Sequence, residues 1–123
     1  MGDRCNCNLF LHEAISDEAL EILKDTLGEP NDSFEDRQFS FEEVNYAELP
    51  DALRKLLVAD KTPFAWTNGA GDDYPEGVLT YDGISEPFAW VMLENNIMLT
   101  VAQARDPGML AKAIATQTFY DGI

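Results

Sequence analysis

The chain has 123 residues, 46% of them hydrophobic, and carries 23 acids against 8 bases for a formal net charge of −15. That length suits one folded domain with a real core, and no continuous apolar run approaches the ~20 residues of a membrane-spanning helix. The charge argues against direct binding to a phosphate backbone, which depends on Lys and Arg neutralising phosphates, and favours a basic partner.

Met1 to Asn6 lacks a basic stretch leading into an apolar one, so the expectation is a cytoplasmic protein without a cleaved secretion signal. Cys5 to His12 alternates, with Cys7, Leu9 and Leu11 on one face and Asn6, Asn8, Phe10 and His12 on the other, and reads as a first strand. Ser16 is a good N-cap for a helix running to about Leu27. Asp17 and Glu18 complement the dipole of its first turn. Ala19, Leu20, Leu23 and Leu27 form its apolar stripe, and Gly28 followed by Pro30 stops it.

Glu29 to Asp36 is polar and acidic and reads as a surface loop. Phe39 and Phe41 alternate with Gln38, Ser40 and Glu42, which predicts a strand over Arg37 to Val44. A second helix is expected from near Glu48, with Pro50 in its first turn and Leu49, Leu53, Leu56 and Leu57 as its stripe.

Pro63-Phe64-Ala65-Trp66 returns as Pro87-Phe88-Ala89-Trp90. Each proline precedes an apolar run, where a missing N–H is tolerated at a strand's start. The residues between do not match, so these are two similar solutions to one packing problem rather than a duplicated domain. Gly77 to Tyr81 reads as a strand ended by an Asp82-Gly83 turn, and Asn95-Asn96 as a two-residue hairpin turn. The predicted meander of four strands runs from Pro63 to about Ala104. Its last hairpin is apolar on both faces and must be covered twice, by helices on one side and by something else on the other. Asp106-Pro107 then opens a last helix, with Met109, Leu110, Ala113 and Ile114 along one side and Tyr120 to Ile123 as a tail. The expected architecture is a single α+β domain in the order β-α-β-α-β-β-β-β-α, with five or six mainly antiparallel strands and about three helices on one face.

Cys5, Cys7 and His12 are zinc-ligand types, but alternation turns His12 away from the two cysteines and no second Cys pair exists. Neither a metal nor another cofactor is expected. His12 is the sole histidine and has no nucleophile motif around it, so no catalytic residue is predicted and the chain reads as a non-enzyme. The loop from Thr67 to Glu76 is a candidate ligand or contact loop. Trp66 and Tyr74 would flank it with stacking surface, and Asp72, Asp73 and Glu76 line it with acids. Those acids lack the spacing of a calcium-binding EF-hand, and the loop lacks the Gly-Lys-Ser/Thr of a phosphate-binding P-loop.

Thirteen acids lie between Glu13 and Asp51 against two bases, Lys24 and Arg37. On the first helix Asp17, Glu18, Glu21 and Asp25 fall away from the leucine stripe. Together with Asp32, Glu35 and Asp36 they form the candidate partner-binding surface. The leading expectation is a decoy or inhibitor that occludes a basic, nucleic-acid-binding surface of a protein partner. A nuclease, a restriction or CRISPR-type complex, or a toxin held by its immunity protein would offer such a surface. Phage and mobile-element anti-defence inhibitors use this strategy, and the comparison transfers no residues. Two other expectations stand beside it: a small-ligand module built on Gly69-Ala70-Gly71 with its flanking aromatics, and an oligomer-forming accessory protein that packs through the Phe88 to Val101 hairpin.

Overall fold

The computed structural model describes residues 4–45, 48–70 and 75–122. Strand β1 (Arg4–Leu11) leads to helix α1 (Asp17–Leu27), strands β2 (Asp32–Phe34) and β3 (Gln38–Asn45), and helix α2 (Asp51–Ala59). The meander follows as β4 (Phe64–Asn68), β5 (Gly77–Tyr81), β6 (Phe88–Leu93) and β7 (Asn96–Ile97), then helices α3 (Val101–Arg105) and α4 (Pro107–Asp121). The fold is α+β, with one antiparallel sheet in the order β2-β3-β1-β4-β5-β6-β7. No helix among the described residues is long and apolar enough to cross a membrane.

Alternation in β1 produces two cores. Cys7, Leu9 and Leu11 share one face with Phe39, Phe41, Phe64, Trp66 and Tyr81, and α1 and α2 cover it with Ala19, Leu23, Leu53 and Leu57. Phe10 looks the other way, toward a second layer in which Ala65, Val78, Trp90 and Met92 meet Ala113 of α4. The expected placement of all helices on one face is therefore corrected. The last helix covers one face of the predicted two-faced hairpin, and the expected second cover is not met, because the other face of β6 stays exposed.

Local signals set several boundaries. The Ser16 hydroxyl accepts from the Ala19 N–H at 3.2 Å, and the Gly28 N–H donates to the Lys24 carbonyl, so α1 begins and ends where its capping residues stand. Asp106 Oδ1 accepts from the N–H groups of Gly108 and Met109 at the start of α4. Strands β4 and β6 begin one residue after Pro63 and Pro87.

Other boundaries move. Residues 32–34 form a short edge strand on β3 instead of a loop. Helix α2 starts at Asp51 with Pro50 at its N-cap, and Leu49 is buried ahead of the helix. The β6–β7 turn is Glu94-Asn95, both at positive φ, rather than Asn95-Asn96. This register sets Ile97 opposite Met92, while Gln117 of α4 accepts from the Ile97 N–H at 2.7 Å and donates to the Asn95 carbonyl at 3.0 Å. Strand β7 then stops, because Thr100 and Gln103 close a capping box that starts α3. Helix α4 continues to Asp121 through the expected tail. It buries Ala113 and leaves Leu110 and Ile114 exposed, since Met109, Phe119 and Tyr120 carry the rest of its contact.

Strand β6 is covered on one side only. Trp90 and Met92 are buried beneath α4, whereas Ala89, Val91 and Leu93 on the α1–α2 side are exposed.

Leu53 has no exposed surface, while Ile84 is 91% exposed. Leu53→Ala should cost about 2–5 kcal/mol in chemical denaturation, and Ile84→Ser should stay within about 0.5 kcal/mol of the parent.

Candidate functional site

Helix α1 presents its acids because its apolar stripe is fully used. With Ala19 and Leu23 buried against the sheet, Asp17, Glu18, Glu21 and Asp25 all stand exposed. Strand β2 contributes Asp32 at the edge of the sheet, and the turn after it contributes Glu35 and Asp36, all three exposed. One hydrogen bond ties the two parts together: the Ile15 N–H, just ahead of α1, donates to the Asp36 carbonyl at 2.8 Å. All seven predicted partner-binding acids are thus displayed on two connected segments.

The bases among them are already engaged. Arg37 donates to Glu35 Oε2 at 2.9 Å, and Lys24 lies 3.7 Å from Glu29. Such exposed pairs contribute at most about 1 kcal/mol, but they leave no base unpaired within this surface among the described residues. Phe34, at 57% exposure, stands in the same strand between Asp32 and the turn. The sequence reading missed it. An aromatic alone inside an acidic stretch, with no alternating apolar partner, is the signal that marks it.

Glu35 and Asp36 adopt φ of 52° and 54°, the left-handed region that β-carbons resist. The turn holds two acids where Asn-Gly would be easier.

Of the predicted ligand loop the structure describes residues 67–70, 75 and 76. Asp72, Asp73 and Tyr74 lie outside the described residues. Trp66 is corrected: it is 2% exposed and packs against Phe41 at a 6.3 Å centroid distance within the α1–α2 core, so it offers no stacking surface to the loop. Trp90 lies in the opposite core. Cys7 and His12 likewise sit on opposite sides of the sheet, Cys7 buried in the α1–α2 core and His12 edge-on to Phe119 of α4.

Glu76 does reach a cavity, on the α4 face. There it neighbours Tyr120, whose phenol pKa is raised, first by burial and then by the negative charges of Glu76 and Asp121.

No family model, curated protein or solved structure matches the chain.

Asp36→Gly should stabilise the protein by about 1 kcal/mol in a denaturant titration, through relief of the positive φ. Tyr120 yields a pH signature. Its folded pKa lies above the unfolded value of about 10, so in that interval the unfolded chain binds fewer protons and stability falls as pH rises from 10 toward the folded value. The stability difference between the parent and Tyr120→Phe should be flat below that window and shrink within it. Glu76→Gln should bring the phenolate absorbance transition of Tyr120 back toward its usual pH.

Proposed function

We propose that the protein is a non-enzymatic inhibitor or decoy that occludes the basic, nucleic-acid-binding surface of a partner protein. The observation that supports this reading is the display of Asp17, Glu18, Glu21, Asp25, Asp32, Glu35 and Asp36 as exposed carboxylates on two hydrogen-bonded segments. Along α1, residues 17–25 cover about 12 Å at 1.5 Å per residue, so four acids present one charge per roughly 3–4 Å. A DNA strand carries one per about 3.4 Å of axis. Lys and Arg side chains arranged for phosphates therefore meet a comparable density of charge on the helix.

Phe34 adds what a surface kept acidic for solubility alone would not need. An exposed aromatic in the same short segment as Asp32, Glu35 and Asp36 is suited to fill a pocket while the acids steer the encounter. The free edge of β2 lies alongside it. Occlusion by this surface requires no chemical step. The partner is a basic protein that handles nucleic acid, such as a nuclease or a restriction or CRISPR-type complex, or a toxin bound by its immunity protein.

The test is competition. Tagged protein incubated with host lysate at low salt should retain a basic partner that high salt releases, and the purified partner should lose duplex DNA binding as this protein is added. The variant Asp17→Asn/Glu18→Gln/Glu21→Gln/Asp25→Asn should compete at least about tenfold less well, and Phe34→Ala should weaken competition without changing its salt dependence. Undiminished competition by the four-fold neutral variant would remove α1 from the interface.

A further inference from the structure

On the α4 side of the sheet, beyond the apolar layer, a cavity of about 570 Å³ opens between β1, β4 and the C-terminal end of α4. Phe10, Met92 and Tyr120 supply its apolar surface, with the Phe10 and Tyr120 rings edge to face at 6.4 Å. Asn8, Thr67, Asn68, Glu76 and Asp121 are among its polar residues.

Several of the cavity's donors are spent inside the protein. Asn8 Nδ2 donates to Thr67 Oγ1 at 3.4 Å, and Asn68 Nδ2 donates to the carbonyls of Gly69 and Pro75 at 2.9 and 3.1 Å. The Tyr120 hydroxyl donates to Asn95 Oδ1 at 3.4 Å. Charged acceptors remain in surplus. Glu76 accepts the Glu94 N–H on Oε2 at 3.2 Å, and Asp121 accepts from Gln117 on Oδ1 at 2.9 Å. The second oxygen of each carboxylate takes no hydrogen bond or ion pair from a described residue, and no Lys or Arg is among the described residues of the lining. Two carboxylates thus share a recess with a half-buried phenol, and among the described residues of the lining no base offsets their charge.

We propose that this cavity binds a small organic cation. Its ammonium or guanidinium N–H groups meet the free oxygens of Glu76 and Asp121, and its carbon chain lies along Phe10, Met92 and Tyr120. A cation is stabilised there by charge-assisted hydrogen bonds and by the aromatic faces. An anion would be repelled by both carboxylates. A bare metal ion has too few ligands, since no group of three His, Cys, Asp or Glu side chains among the described residues is placed to hold one. The site lies on the opposite face of the sheet from α1, so it stands or falls independently of the decoy surface.

Agmatine, which carries both a guanidinium and an ammonium group, is the probe. In calorimetric titration at about 0.15 M salt, where diffuse charge attraction is screened beyond about 8 Å, the parent protein should bind it saturably at one site. Glu76→Gln and Asp121→Asn should each weaken binding about tenfold or more, while Asp17→Asn/Glu21→Gln should bind as the parent does. Amide shifts induced in the unaltered protein should centre on Asn8, Thr67, Gly69 and Gly77. Absence of saturable binding, equal weakening by the α1 variant, or shifts centred on α1 would each overturn the proposal.

Discussion

The structure depends on the two-sided hydrogen bonding of β1. This strand pairs with β3 on one edge and β4 on the other, so Cys7, Asn8, Leu9 and Phe10 are each held in register twice. A slip by one position would exchange Cys7, Leu9 and Leu11 with Asn8, Phe10 and His12, placing polar groups in the core and leucines beneath α4. Because β1 comes first in the chain and sits inside the sheet, β3 and β4 must both return to it from a distance. The two connections carry α1 and α2, which therefore land together on the leucine side.

The other face is built mostly from elements later in the chain. The meander supplies Ala65, Val78, Trp90 and Met92 as the apolar bed for α4. That helix is held at its far end by polar groups: Gln117 engages both Ile97 and Asn95 across the β6–β7 turn. Near its start Lys112 lies over the Phe88 ring at 3.9 Å, a cation–π contact that joins α4 to β6. The apolar layer gives out toward the C-terminal end of α4, and the cavity bordered by Glu76, Tyr120 and Asp121 begins there.

Charge and fold are arranged on separate principles in the same molecule. The acids of α1 are outside because its leucines are inside, and helix periodicity alone separates them. The acids of the β2–β3 turn are there despite the backbone, at positive φ, in a conformation that favours glycine or asparagine. Lys61, Glu94 and Asn95 take the same left-handed region in other turns; at Glu35 and Asp36 the residues are carboxylates following an exposed phenylalanine on an edge strand of the sheet.

The sequence by itself determined what periodicity and capping control. Helix α1 between Ser16 and Gly28, the alternation of β1 and β3, the proline starts of β4 and β6, and Asp106-Pro107 ahead of α4 were all legible, because each is decided by neighbours within a few residues. The capping box Thr100-Val101-Ala102-Gln103 was equally local, yet its apolar surroundings resembled a strand and hid it. The exposure of the α1 acids was legible for the same reason as its stripe. Tertiary structure alone decided the rest. Strand β2 exists because β3 offers it an edge, and the β6–β7 turn sits at Glu94-Asn95 because Gln117 and Met92 set its register. Trp66 is buried because the face on which it lies is the one that α1 and α2 cover. The cavity required Asn8, Thr67, Glu76 and Tyr120 to meet from β1, β4, the loop before β5 and α4, and no spacing along the chain encodes that meeting.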